Sequence, residues 1–211
     1  MMKVLICGVI DMQEVTLEQV KQLAEESRES IWSIAKANGH EPKIYLHWTA
    51  GKYGTTFPDY HINITGDGKI YVSTTNFAET KSHTWRRNSG SLGIALCCAY
   101  GAGSADLGSY PPTAKQIEVM AQVINAVASA WWLTIDKDHV LTHGEAANNE
   151  DGGIGTHNPY AWWNDSYQDG DTRGDLEYLG TTESPAYNPW STNGSRGGDV
   201  LRGKANWYKH N

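Results

Sequence analysis

The sequence is poor in phenylalanine and has no excess of basic residues. Only 2 Phe accompany 9 Trp and 11 Tyr, so nearly every aromatic ring carries a polar edge. The formal net charge is -7, with 17 Lys+Arg against 24 Asp+Glu. A broad positive field that would hold the chain on a phosphate backbone is therefore excluded, and we expect no nucleic-acid partner.

Cysteine is also scarce, and its placement excludes a disulfide framework. The three cysteines are Cys7, Cys97 and Cys98. Their number is odd, and the adjacent pair would point to opposite faces of a strand. We expect folding in a reducing compartment.

Long hydrophobic runs are absent, which excludes a transmembrane segment. The apolar stretch from residue 4 to 10 is short, is interrupted by Gly8, and lacks a small-residue cleavage site before Asp11. It makes a poor signal peptide. We therefore expect neither export by a signal peptide nor membrane insertion.

What is present predicts an α/β fold. Apolar residues at helical spacing predict helices over residues 16–38 and 114–132, each opened by a Thr-x-x-Gln capping box. Strand-like runs lie near residues 43–48, 60–65, 69–73, 91–98 and 138–143, and Asp67-Gly68 predicts a hairpin. We expect a central mixed sheet flanked by the two helices.

Two histidines, His47 and His143, end predicted strands, and the segment TRGD at residues 172–175 adds the carboxylate of Asp175. Taken singly, each histidine is more often a structural residue. Two neutral imidazoles and one carboxylate, with a fourth position open to water, are together typical of a catalytic zinc site.

Five segments in order resemble the type 2 N-acetylmuramoyl-L-alanine amidases, which share their fold with peptidoglycan recognition proteins and many phage endolysins. The segments are IYLHWTAG, DYHINITGDGKIYV, SHTWRRNSGSLGIAL, HVLTHGEA and GDTRGDLEYL. The resemblance covers roughly residues 43 to 180. The TRGDL stretch resembles a Thr-Arg-Trp-Asp-Leu motif of endolysins, with Gly174 in place of Trp.

The resemblance implies roles for individual residues. His47, His143 and Asp175 match the three zinc ligands, with Zn²⁺ as the cofactor. Tyr60 matches a tyrosine that assists at the metal-bound water or the oxyanion, although packing is an equally good interpretation. Arg173 matches a cation that stabilises the tetrahedral intermediate, where a guanidinium acts electrostatically and not as a proton shuttle.

The resemblance also implies a substrate cleft and departs from the family at one point. His83 and Asn88 fall where members line the cleft, and Trp48 offers a stacking surface, with packing the safer interpretation of Trp48. Glu145 is a candidate to orient a ligand imidazole; a turn role for Asn88 and a solvated carboxylate for Glu145 are the alternatives. Some relatives carry a catalytic Glu where this chain has Ala95.

The predicted function is hydrolysis of the amide between the N-acetylmuramic acid lactyl group and L-alanine of peptidoglycan. We expect a monomer with the zinc amidase domain at residues 1–180 and a C-terminal extension, residues 181–211, packed on it. A phage or prophage endolysin waiting in the host cytoplasm before lysis fits best. A recycling amidase, a non-catalytic peptidoglycan-binding module and an unrelated cysteine hydrolase remain as alternatives.

Overall fold

The computed structural model describes residues 12–103, 106–147, 150–151, 174–185 and 195–211. Within these residues the chain forms a six-stranded sheet and four helices, which confirms the expected α/β fold with a central mixed sheet. The elements in chain order are β1 (Gln13–Val15), α1 (Leu17–Ala37), β2 (Lys43–Trp48), β3 (Ile62–Ile64), β4 (Ile70–Val72), β5 (Ser91–Leu96), α2 (Ala114–Trp131), β6 (Val140–Thr142), α3 (His143–Ala147) and α4 (Gly197–His210).

The strand order is β1-β4-β3-β5-β2-β6. Strands β3, β5, β2 and β6 run parallel to one another, whereas β4 is antiparallel to both β1 and β3. The carboxyl ends of the four parallel strands therefore share one edge of the sheet. Both predicted ligand histidines come to this edge, His47 near the end of β2 and His143 directly after β6.

Local signals at the helix and hairpin ends behave as predicted. Both α1 and α2 begin with a complete capping box, Thr16 with Gln19 and Thr113 with Gln116. Gly39 follows α1 with a φ of 81°, a conformation that glycine adopts without strain. The Asp67-Gly68 hairpin joins β3 to β4 as expected.

The two faces of the sheet differ in character because alternate residues of a strand point to opposite sides. On one face the large apolar residues of the central strands join α1 and α2 in the main core: Ile44, Leu46 and Trp48 of β2, with Leu92, Ile94 and Leu96 of β5. On the other face β5 offers only the small residues Ser91, Gly93 and Ala95, and Ala95 pairs with His47. This small-residue surface leaves room for the site.

A close approach requires glycine at position 93. A Cβ there would lie 2.7 Å from Cγ of His83, closer than real Cβ contacts come. The imidazole of His83 therefore rests on the backbone of β5. This is a packing reason for the Ser-Leu-Gly-Ile-Ala pattern, in which large residues point into the core and small ones toward the site.

Three short or C-terminal elements lie outside the sequence prediction: β1, α3 and α4. Helix α4 begins Gly-Gly-Asp, and its N-cap residue Arg196 makes no side-chain cap hydrogen bond, so local start signals are weak. Instead α4 packs against α2 and β6. Across the described ranges of the chain, none of the helices has the length and apolarity to cross a membrane.

Candidate active site

Three side-chain atoms converge at the carboxyl edge of the sheet. Nδ1 of His47 lies 3.2 Å from Nδ1 of His143, and Oδ2 of Asp175 lies 3.4 Å from each of these nitrogens. All three residues are buried to a large extent, with Asp175 7% exposed and His47 fully buried. They are the only His, Cys, Asp and Glu cluster in the described part of the chain with this metal-binding geometry.

The triangle fits a tetrahedral zinc ion. With metal–ligand distances of about 2.0–2.1 Å, two ligand atoms of a tetrahedron lie about 3.3 Å apart. The observed separations of 3.2 and 3.4 Å bracket that value. Two imidazole nitrogens and one carboxylate oxygen also form a donor set suited to Zn²⁺, with a fourth position left for water or substrate.

The carboxylate of Asp175 is held ionised. Burial opposes its ionisation, but the charges and hydrogen bonds of His143 and His47 outweigh burial and keep the pKa of this carboxyl well below its ordinary value. An ionised Asp175 supplies the anionic donor that a bound divalent cation requires.

A cavity of about 460 Å³ opens beside the triangle. Its walls come mainly from the loop before β3 and the loop before β5, and His143 of the triangle contributes directly. The lining residues are Thr49, Phe57, Asp59, Tyr60, Ser82, His83, Thr84, Trp85, Asn88 and His143. Of the residues predicted for the cleft, His83 and Asn88 lie in its wall, as does Tyr60.

Tyr60 lies next to the first ligand. Its ring centroid is 5.0 Å from that of His47, and its hydroxyl donates a long hydrogen bond of 3.3 Å to the backbone carbonyl of Trp48. Tyr60 is partly exposed and lines the cavity. The position suits a hydrogen-bond donor at the cleft better than a core packing residue.

A chain of hydrogen bonds holds His47 on the side of the ring that faces away from the triangle. Nε2 of His47 is 3.3 Å from the hydroxyl of Thr84, which also lies 2.9 Å from Nδ1 of His83. Oδ1 of Asn88 accepts from the backbone N–H groups of His83 and Thr84, at 3.1 and 2.8 Å. Asn88 therefore holds the loop that carries Thr84, in addition to lining the cavity.

His83 is 7% exposed, and its Nε2 is buried with no hydrogen-bond partner among the described residues. Burial, with the nearby imidazoles of His47, His61 and His143, lowers the pKa of His83 well below its ordinary value. The ring is thus neutral. A substrate contact by His83 stays a prediction.

Other predicted residues are placed differently. Trp48 is 7% exposed and packs in the main core, which favours its packing interpretation. Glu145 is fully buried, so the alternative of a solvated carboxylate is wrong. Its carboxylate accepts from the N–H of Thr142 at 2.9 Å and pairs with Arg202 of α4 at 2.7 Å. Arg173 lies outside the described residues.

Several buried polar residues around the site were missed by sequence reasoning. They are Thr84, Thr142, Glu177, Arg202 and the pair Arg87 with Asp151. Arg87 and Asp151 form a fully buried ion pair, to which the hydroxyl of Tyr45 adds a 2.9 Å hydrogen bond. A polar residue within an apolar stretch, such as Thr142 in HVLTH, is the one signal that points to such partners.

The cysteine alternative lacks a nucleophile in the described residues. Cys97 and Cys98 are free and buried. Burial raises the pKa of the Cys97 thiol to about 12 and that of Cys98 well above its ordinary value. A thiolate at either position is strongly disfavoured at neutral pH.

Comparison with known proteins assigns the chain to a family. The family model described as N-acetylmuramoyl-L-alanine amidase matches residues 26–158. No curated protein matches the chain significantly.

Solved structures with some likeness include the Ph2119 endolysin from Thermus scotoductus MAT2119 bacteriophage Ph2119, at 21% identity over 55% of this chain and 77% of that chain, with a TM-score of 0.39. Another is the N-acetylmuramoyl-L-alanine amidase LysC from Clostridium intestinale URNW, at 18% identity over 57% of this chain and 80% of that chain, with a TM-score of 0.38. Because the family match spans more than half of the sequence, the chain belongs to the N-acetylmuramoyl-L-alanine amidase family.

Proposed function

We propose that this protein is a zinc-dependent amidase that hydrolyses the bond between the lactyl carbonyl of N-acetylmuramic acid and the L-alanine of the stem peptide. The observation that carries the proposal is the triangle of His47, His143 and Asp175, whose atoms lie 3.2–3.4 Å apart at the side of the cavity. A zinc ion bound there would acidify water and polarise the scissile carbonyl.

The chain's own residues supply positioning and electrostatics. Nδ1 of His47 faces the triangle while Nε2 of the same ring meets the Thr84 hydroxyl. With zinc held by Nδ1, the ring proton would be on Nε2, where it would be donated to the Thr84 hydroxyl and would hold the imidazole in one orientation. His83 and Thr84 line the cavity beside His47 and are themselves almost completely buried.

The negative charge that develops on the carbonyl oxygen needs hydrogen-bond donors or cations. The hydroxyl of Tyr60 lies in the cavity wall beside His47, on the side where the oxyanion would form, and is the proposed hydrogen-bond donor to it. Arg173, two residues before Asp175 in the sequence, is proposed as the second electrostatic contact. Ala95 beside His47 supplies no carboxylate base.

The biological role that we propose is lysis by a phage or prophage endolysin. It rests on the resemblance of the Thr172–Leu176 sequence, TRGDL, to the endolysin motif. The retained carboxylate of Asp175 within the triangle favours catalysis over a binding module that recognises peptidoglycan without cleavage. Peptidoglycan, comprising glycan and stem peptide, is the proposed partner of a monomer.

The test is release of new L-alanine amino termini from purified peptidoglycan. We expect metal-free protein to be inactive, zinc to restore activity, and Asp175→Ala to lose about a thousandfold or more, since the metal contributes several kcal/mol to the transition state. Asp138→Ala, which removes an exposed carboxylate away from the triangle, is the matched control and should remain active. Wall binding without cleavage in any sample would instead identify a recognition module.

A further inference from the structure

Two of the three ligands are carried by chain segments that are distant in sequence and are joined through Thr142. Thr142 precedes His143 and caps α3 with a reciprocal pair of bonds. The backbone N–H of Glu145 donates to the Thr142 hydroxyl at 3.1 Å, and the Glu145 carboxylate accepts from the Thr142 N–H at 2.9 Å. This capping box fixes the direction in which His143 leaves β6.

The same hydroxyl reaches the segment of the third ligand. Thr142 donates a 2.6 Å hydrogen bond to Oε1 of Glu177, two residues beyond Asp175. A turn closed by the Glu177 N–H and the Gly174 carbonyl, at 3.1 Å, encloses Asp175. One side chain therefore links the backbone next to His143 to the turn that holds Asp175.

Helix α4 and the residue before it hold the two carboxylates from outside. Arg202 forms a two-pronged pair with Glu145, at 2.7 and 2.8 Å, and also donates to the Val140 carbonyl at 2.9 Å. Nε of Arg196 donates to Glu177 at 2.9 Å, and the Gly197 N–H donates to the Glu177 carbonyl at 2.9 Å. Both carboxylates are fully buried.

The packing leaves little room for these groups to shift. A Cβ on Gly144 would lie 2.5 Å from Oε1 of Glu177, and a Cβ on Gly198 would lie 2.8 Å from Oε2 of Glu145. Glycine at both positions allows the carboxylates to sit against α3 and the start of α4. The network is therefore closely fitted, and its geometry is transmitted to the residues beside His143 and Asp175.

We propose that Thr142, Arg202 and Arg196 are positioning residues that set the separation of His143 and Asp175, and that α4 is a structural part of the metal centre. The inference rests on the proposed zinc site and adds to it a requirement for the C-terminal helix. Groups that hydrogen-bond directly to metal ligands typically change metal affinity by about 10–100-fold when they are lost, and for these residues, which act through Glu145 and Glu177, we expect the lower end of that range.

The experiment measures zinc affinity of the full chain by chelator competition, together with thermal unfolding of each metal-free variant. Thr142→Val removes the hydroxyl at nearly constant volume, whereas Thr142→Ser keeps a hydroxyl at this position. Arg202→Lys keeps the positive charge but loses the two-pronged contact. The control is Lys204→Met, which breaks another ion pair of α4, to Glu118 on α2, with no contact to either ligand segment.

We expect Thr142→Val and Arg202→Lys to bind zinc about 10-fold or more weakly, Thr142→Ser to stay within about threefold by the same reasoning, and Lys204→Met to bind as the natural chain does. A variant that is still folded but binds zinc more weakly indicates a positioning role, because a loss of stability alone does not lower the zinc affinity of the folded protein. Because Thr142→Ser and Arg202→Lys are conservative, they keep the test decisive if Thr142→Val does not fold.

Unchanged affinity in folded Thr142→Val or, should that variant not fold, in folded Arg202→Lys would overturn the inference while leaving the zinc amidase proposal intact. Equal weakening in Lys204→Met would also overturn it, because the effect would then come from general loosening of α4. Failure of the natural chain to bind zinc would instead refute the proposed function on which the inference rests.

Discussion

The two sides of the candidate site are held by different chemistry. On the β2 side, His47 is fixed by the Thr84 hydroxyl, and Asn88 holds the Thr84 loop through backbone amides. On the β6 side, buried ion pairs from α4 and its flanking residue hold the segments of His143 and Asp175. The first arrangement depends on neutral hydrogen bonds, whereas the second requires charges to be matched away from water.

This difference predicts how strongly each side should respond to the loss of one interaction. A neutral hydrogen bond contributes about 1 kcal/mol, so losing one shifts a ligand without unfolding the domain. A buried charge left without its partner costs several kcal/mol, so the β6 side should respond far more strongly to a single substitution. The β2 side, which we call the neutral side, should instead lose stability in acid, where a buried histidine becomes protonated.

The largest effect is expected from Arg202→Met, which leaves the buried Glu145 carboxylate without its two-pronged partner. We expect a loss of about 3–5 kcal/mol in the free energy of unfolding, measured by urea denaturation at pH 7. Lys204→Met breaks a pair whose side chains are 36% and 40% exposed, and should cost less than about 1 kcal/mol. Similar losses in both variants would remove the contrast between buried and exposed pairs on α4.

Acid should weaken the neutral side through His61. Its Nε2 donates to the Glu79 carbonyl at 2.7 Å and its Nδ1 accepts from the Gly93 N–H at 3.1 Å, so both ring nitrogens are used by the neutral form. Burial lowers the pKa of His61 from 6.5 to about 4. The unfolded chain thus binds the proton first, and the stability held above pH 6.5 is lost as the pH falls toward 4.

The difference between the two pKa values corresponds to about 3 kcal/mol. Urea unfolding of the natural chain and of His61→Gln at several pH values between 7 and 4 checks the effect. The variant should be less stable at pH 7 but should lose less stability across this interval. Parallel pH profiles for the two chains would show that His61 is not the group responsible.

The smallest effect on stability is expected from Thr84→Val, which removes the neutral partner of His47 at nearly constant volume. We expect about 1 kcal/mol of destabilisation, yet about a 10-fold loss of zinc affinity, because His47 loses the contact that orients its ring. Chelator competition and thermal unfolding separate the two quantities. Zinc affinity unchanged in a folded Thr84→Val protein would argue that packing alone orients His47.

Much of the fold was predictable because its signals are local. The capping boxes at Thr16 and Thr113 are short-range hydrogen bonds encoded within four residues, and both form. The Asp67-Gly68 turn and the apolar runs of β2 and β5 likewise require only neighbouring residues to be recognised. Helix α4 was missed because its start lacks a capping side chain and its apolar residues become informative only against α2 and β6.

The residues of the site likewise fall into a predicted group, the ligands, and a group that was not predicted, their supporting residues. The identities of His47, His143 and Asp175 came from strand ends and from the resemblance of ordered segments, and the three side chains meet in space. Their supporting residues were not predictable, since the Thr142 hydroxyl is 35 residues from Glu177 in sequence and Glu145 is 57 residues from Arg202. No local pattern links residues at such separations.

The sequence alone therefore determined most of the element types, the family and the candidate ligands, because each depends on short-range propensity or on an ordered set of motifs. Only the tertiary structure decided which polar groups are buried together, that Glu145 faces Arg202, and that a hydroxyl joins the two ligand segments. Those contacts depend on bringing distant parts of the chain out of water in one arrangement, where every charge and hydrogen-bonding group requires a partner.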